Sequence, residues 1–291
     1  MNAIPKQVFL GVDIGGSHIS IGIFAKNSSE LLCQLDLLHA EVDAEKEMDE
    51  ILQHWHIIGH EVRDTYNINK IGIAFPAPFD YKRGVCLIKQ QGKFRSLFGL
   101  NLKETIADLW NVSASNILFL NDAESYLRGE LHAGSVGVTQ SVLLLTFGTG
   151  LGSAWKIGEE FRDAGLWSIP FLDGIAEDYF CTRWFTSYAF QKFQIEVSNV
   201  KDLVSNPAFS SEANLIFQEF TSNLALFIKL QYQKTPFDAL ILGGNISKAH
   251  SWFLGQLENQ LLQNNIHISI QLNQLGKEAP VYGAASYILK N

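Results

Sequence analysis

Val8-Phe9-Leu10-Gly11-Val12-Asp13-Ile14-Gly15-Gly16-Ser17, continued by Ile19, Ile21 and Ile23 at alternate positions, is the stretch on which the fold turns. Two alternating apolar runs about a Gly-Gly pair spell a β-hairpin. The pattern returns at residues 141–157, where an apolar strand runs into Phe147-Gly148-Thr149-Gly150-Leu151-Gly152 and then into a second strand over 154–157. Such a near-repeat of strand, Gly-rich turn and strand at 8–24 and 141–157 points to two similarly built halves.

Residues 43–66 place Met48, Ile51, Leu52, Trp55, Ile58 and Val62 at three- and four-residue spacing. That is an amphipathic helix laying one stripe on a sheet. A buried strand at 71–75 follows, ended by Pro76 and Pro78, because proline lacks the N–H that a ladder needs. Residues 101–110 read as a short helix capped by Asn101, and 117–120 as a strand that delivers Asn121 and Asp122 at its carboxyl end, before a helix over 123–132. Helices at 174–190 and 212–233, a strand at 239–242 ending in Gly243-Gly244-Asn245, a helix at 252–262, a strand at 266–271 and a closing helix at 281–289 complete an α/β chain. At 291 residues there is room for two lobes. No linker is visible, so their boundary falls within the fold near 112–120. The expected lobes are 1–118, with the closing helix 280–291 packed back on it, and 119–279.

Composition narrows the function. A net charge of −8 without any block of like charges gives no basic face for nucleic acid or anionic lipid. The amino-terminal residues lack the apolar run of a secretory signal, and no window approaches the ~20 apolar residues of a membrane span. A cytoplasmic enzyme with no membrane partner is the expectation. Cys33, Cys86 and Cys181 stand apart, with neither a disulfide framework nor the clustered spacing of a zinc site.

Three glycine-rich turns after strands are the chemical signal: Asp13-Ile14-Gly15-Gly16-Ser17, Phe147-Gly148-Thr149-Gly150 and Leu242-Gly243-Gly244-Asn245. Without a Cβ, backbone amides can close on an anion. Each alone is open to a plainer reading, an ordinary hairpin turn for the first and a helix-start turn for the third. Together, two of them with a hydroxyl residue beside the glycines, they argue for a polyphosphate held between two lobes. Asp122 by itself is also open to an Asx-turn or cap at the start of the following helix. His54, His56 and His60 fit an exposed polar helix face, and Trp55, Trp110, Trp184 and Phe185 fit core packing.

These residues resemble the ROK family of bacterial sugar kinases and repressors (repressor, open reading frame, kinase). The resemblance runs in order through Gly11–Ser17, the segment 71–78 (Ile-Gly-Ile-Ala-Phe-Pro-Ala-Pro), Leu120-Asn121-Asp122-Ala123, Phe147-Gly148-Thr149-Gly150, Ile241-Leu242-Gly243-Gly244-Asn245 and Tyr282-Gly283-Ala284-Ala285. It implies the two-lobed, actin-like (ribonuclease H-like) ATPase fold with ATP and sugar in the interlobe cleft. Asp13 would hold Mg²⁺ through water. Gly15, Gly16, Ser17, Gly148, Thr149 and Gly150 would line the phosphates, and Gly243, Gly244 and Asn245 would lie near the adenosine. The resemblance makes Asp122 the base for the attacking sugar hydroxyl and Asn121 the holder of its neighbours. Chemically, phosphoryl transfer rewards positioning and charge neutralisation, with a carboxylate to take the proton.

Two departures qualify this. Many members carry a sugar-binding Glu-x-x-His pair and then a zinc-binding cysteine cluster, whereas here Gly165 and Ser168 stand at the pair and the cysteines are missing. Zinc is therefore expected to be absent. Glu177 is the remaining candidate sugar ligand, its plainer reading being a solvated helix carboxylate. The leading expectation is a glucokinase-like enzyme that phosphorylates a hexose, at the 6-OH, with ATP. Its rivals are a non-catalytic sugar-binding regulator or pseudo-kinase, slightly favoured by Gly165 and Ser168, a kinase for an N-acetylhexosamine, and a polyphosphate-using enzyme. A repressor is disfavoured because the first strand begins by Val8, ahead of which a helix-turn-helix has no room. A homodimer is compatible with all of these.

Overall fold

The computed structural model describes residues 7–26, 32–89, 93–137 and 140–290. Two compact units emerge, residues 1–133 with 278–291, and residues 134–277.

In the first unit the Gly-Gly hairpin forms as read, with Val8–Ile14 antiparallel to His18–Lys26. Leu32–Glu41 adds an antiparallel edge, and Ile68–Phe75 and then Ile117–Asn121 extend the other side in parallel. Helix Met48–Thr65 buries Ile51, Trp55, Ile58 and Val62 of the stripe that its spacing predicts, while Leu52 is half-buried and Met48 exposed. Trp55 and Trp110 are fully buried, and the indole of Trp110 donates to the Trp55 carbonyl at 2.9 Å.

The second unit repeats the pairing. Glu160–Asp163, Leu151–Ile157 and Val142–Phe147 run antiparallel in turn, and Ala239–Gly243 and Ser269–Leu272 continue in parallel. Behind this sheet, helix Ser210–Lys234 buries Ala213, Ile216, Phe217, Phe220, Leu224 and Phe227. An aromatic core forms there, with Phe180, Phe220 and Phe253 fully buried.

Two expectations shift. The lobe boundary expected at 118/119 falls instead at 133/134, because helix Asp122–His132 packs on the closing helix Ala279–Lys290 within the first unit. Their approach is backbone to backbone: a Cβ on Gly129 would stand 1.9 Å from the Ala279 carbonyl oxygen, and one on Gly283 1.7 Å from that of Ser125. The closing helix sits equally close to the sheet, where a Cβ on Gly11 or Gly72 would meet the carbonyl of Val281 or Ala284 at 2.0 and 2.1 Å. The helix read at 174–190 begins only at Thr182. Gly174–Ile175 pairs instead with Pro170–Phe171, and the Asp178 carboxylate takes the Ile175 N–H at 3.1 Å into a 3₁₀ turn over Ala176–Asp178.

Candidate functional site

The candidate residues form one cluster on each unit. On the first, strand Val8–Ile14 carries Asp13, 7% exposed, to the mouth of the hairpin, where a carboxylate oxygen lies 2.9 Å from Nε2 of His18. His18 stacks on His39, whose Nδ1 is 3.0 Å from the Ser20 hydroxyl. The turn is closed by the Gly15 N–H on the His18 carbonyl at 2.9 Å. Gly15 therefore supplies space, not a donor. Its hydrogen-bonding amide is used up, and a Cβ there would stand 2.5 Å from the His18 ring. Among the described residues the amides of Gly16 and Ser17 have no backbone partner, while their carbonyls accept from Ala44 at 3.0 Å and Val42 at 3.1 Å. Ser17 is exposed.

Strand Ile117–Asn121 ends the same sheet and hands over to helix Asp122–His132. The cap of that helix is Asn121. Its Oδ1 accepts from the N–H groups of Ala123 at 2.9 Å and Glu124 at 3.1 Å, and its Nδ2 donates to the Tyr81 hydroxyl at 3.2 Å. Tyr81 in turn donates to the Phe75 carbonyl at 3.1 Å. One Nδ2 proton of Asn121 remains for a ligand hydroxyl. Asp122, half-buried, is the first helical residue and accepts the Ala123 N–H at 2.9 Å. It stands at the positive end of the helix, where negative charge is favoured.

On the second unit, the Gly148 N–H closes its turn on the Gly150 carbonyl at 3.0 Å, which again leaves two consecutive amides, those of Thr149 and Gly150, without a backbone partner among the described residues. A Cβ on Gly148 would meet nothing within 4 Å. The space beside this turn is open to an anion. Thr182, at the start of helix Thr182–Phe193, pins the Gly148 carbonyl with both its N–H at 2.7 Å and its hydroxyl at 2.8 Å. Glu177 is half-buried and its Oε2 accepts the Leu151 N–H at 3.1 Å, bracing the turn from behind. Gly243 ends its strand, and Gly244, at φ +84°, lies against Phe147: a Cβ there would stand 2.2 Å from the Phe147 carbonyl oxygen. That close approach joins the second and third glycine turns. Asn245 is exposed and its Oδ1 accepts from Lys248 Nζ at 3.0 Å.

Gly165 adopts φ +59°, with its N–H on the Asp163 carboxylate at 2.8 Å, and the Ser168 hydroxyl turns back on the Gly165 carbonyl at 3.5 Å. Among the described residues no group of three or more His, Cys, Asp or Glu side chains is arranged to hold a metal ion. His54 is exposed as expected, whereas His56 and His60 are half-buried, their rings 4.2 Å apart. Spacing could not show that the Leu109 carbonyl comes within 3.2 Å of His56 Nδ1. The partners His18, Tyr81 and Thr182 also escaped the sequence reading. Only His18 left a trace, five residues after Asp13 on the facing strand.

Two sheets of the same pairing, each opening on a glycine-turned hairpin, define the actin-like ATPase fold. Solved structures agree across nearly the whole chain. The ROK hexokinase of Thermus thermophilus superposes with a TM-score of 0.74 at 18% identity, covering 96% of both chains. A ROK family glucokinase from Streptomyces griseus, in complex with glucose and AMPPNP, gives 0.74 at 19% identity over 98% of this chain and 100% of that one. A ROK family transcriptional regulator, homologous to the Escherichia coli MLC protein, gives 0.78 at 15% identity over 98% of this chain and 78% of that one. In sequence, the glucokinase of Thermotoga maritima is 23% identical over 149 residues, which span 51% of this chain and only 44% of that protein. The ROK family model matches residues 9–164, more than half of the chain, and the chain belongs to the ROK family. No helix among the described residues is long and apolar enough to cross a membrane.

Proposed function

We propose that the chain is an ATP-dependent sugar kinase that moves the γ-phosphate onto a hexose hydroxyl, glucose and its 6-OH being the first choice, with Asp122 as the base. The observation that carries this is the division of labour at the head of helix Asp122–His132: Asn121 caps the helix, so the half-buried carboxylate beside it is not required as the cap. The role of base follows from its chemistry. As the sugar oxygen bonds to phosphorus and the bond to the departing ADP breaks, the hydroxyl proton passes to the carboxylate of Asp122. Asn121 offers its remaining amide proton to a neighbouring hydroxyl. The amides of Gly16 and Ser17, and of Thr149 and Gly150, suit phosphate oxygens, whose charge oriented N–H groups offset.

Asp13 is a hard oxygen donor of the kind Mg²⁺ takes through water, and the ion would neutralise phosphate charge when bound. Glu177, the candidate sugar ligand, braces the second turn through Oε2, and its other carboxylate oxygen is the one it would offer to a sugar hydroxyl. Two of the similar structures support the kinase reading, a hexokinase and a glucokinase, the latter with glucose and a nucleotide analogue bound.

A second reading, a sugar-binding regulator without turnover, draws on one feature. Gly165 is held in a left-handed conformation that Glu adopts only with strain, and the Ser168 hydroxyl is turned inward on its own turn. The Glu-x-x-His contacts to sugar are thereby lost. A coupled ADP-release assay across hexoses and N-acetylhexosamines with Mg-ATP, run beside calorimetric sugar binding, separates the two. Turnover on any sugar supports the kinase; sugar binding without turnover supports the regulator.

A further inference from the structure

We infer that Lys93 is a phosphate-binding residue of the nucleotide site, its ammonium meeting the phosphate chain of ATP at the turn Gly15-Gly16-Ser17. This rests on the kinase reading above. A Cβ on Gly16 would stand 2.4 Å from Cδ of Lys93, 2.8 Å from Cε and 3.1 Å from Cγ. Three successive methylenes thus run across the glycine, and the ammonium lies one bond beyond Cε. The stem of this exposed lysine crosses the turn whose Gly16 and Ser17 amides have no backbone partner among the described residues.

The placement is fixed by neighbours. Phe94 is fully buried between Trp55 and Phe75, and its N–H bonds the Ala44 carbonyl at 2.7 Å, while the Ala44 N–H bonds the Gly16 carbonyl at 3.0 Å. Two hydrogen bonds therefore tie the residue next to Lys93 to the glycine that Lys93 covers. No carboxylate lies within ion-pairing distance of Lys93 among the described residues. Electrostatics gives the lysine a task. The turn already carries the buried Asp13 carboxylate, and a polyphosphate brought beside it needs a full positive charge where amides supply only partial ones.

Lys93→Met keeps the stem over Gly16 and removes the charge; Lys93→Arg keeps a charge. Steady-state kinetics with ATP varied at saturating sugar, Mg-ADP calorimetry and melting temperature are measured for each. The expected result for Lys93→Met is a fall of roughly 10²-fold in kcat/KM for ATP, the weaker end of what one lost anion-stabilising donor costs. ADP binding weakens in parallel, the sugar KM and melting temperature hold, and Lys93→Arg recovers part of the loss. Lys89→Met, which removes an ammonium 5.4 Å from the Phe98 ring, leaves all of these unchanged. If wild type turns over but Lys93→Met matches it in kcat/KM for ATP and in ADP affinity, the inference is overturned and the kinase reading stands. An equal rise in the sugar KM would make Lys93 a structural prop and overturn it too. A wild type that binds no nucleotide and turns over no sugar overturns both.

Discussion

Asn121 and Asp122 are adjacent yet separable. Asn121→Ala removes the acceptor of two helix N–H groups and should cost about 0.5–2 kcal/mol in urea unfolding, the usual worth of a cap. An unchanged midpoint would contradict the capping role. The glycine turns divide in the same way. Gly148→Val puts a side chain into open space beside the turn, so the fold should persist while Mg-ATP binding is lost, as read by calorimetry and melting temperature. Full nucleotide affinity in that variant would remove the second turn from the phosphate site. Gly15→Val is a poorer probe, because its side chain would strike the His18 ring that holds Asp13. The thiols offer a check on burial. Cys86 is fully buried, its thiol pushed above the ordinary value by that burial, and Cys181 is buried too, whereas Cys33 is exposed. Alkylation of the native protein should add one label per chain by mass spectrometry; two or three would show the core to be open.

At the level of elements, the closing helix is held by glycines that let backbones touch. Gly72→Ala and Gly129→Ala each force a methyl group against a main-chain carbonyl, which cannot swing aside. Each should destabilise by roughly 1–3 kcal/mol or more, the cost of overpacking, with chemical unfolding as the measure. Tolerance of both would mean that the helix packs less closely. None of this was legible in the sequence, where Gly11, Gly72, Gly129 and Gly283 lie in four separate segments and look like ordinary strand or helix residues. The hairpins were legible because alternation about a glycine pair is a local pattern, and so was helix Met48–Thr65, whose stripe repeats over its whole length. The segment 174–190 was not, because its first residues are claimed by a pairing with Pro170–Phe171 and by the Asp178 side chain. Lys93 over Gly16 and Tyr81 on Asn121 depend on how distant loops meet, and no spacing encodes that.

Over the whole molecule, the repeated five-stranded sheet explains why glycine turns recur at corresponding places: each unit opens on the same hairpin. The chain carries no clustered cysteines, and elemental analysis of the purified protein should find no stoichiometric zinc, with activity retained in chelator once Mg²⁺ is restored. About one zinc per chain would overturn that expectation. In the proposed function this ROK family chain transfers phosphate with Asp122 as its base. The most direct test is ADP release with Mg-ATP and the best sugar, in wild type and Asp122→Asn, beside calorimetric sugar binding and melting temperature. Turnover is expected in wild type, with a fall of roughly 10²–10⁴ in kcat in the variant, the worth of a positioned base, and with sugar binding and melting temperature nearly unchanged. A variant with near-normal kcat, or a wild type inert on every sugar, would contradict it.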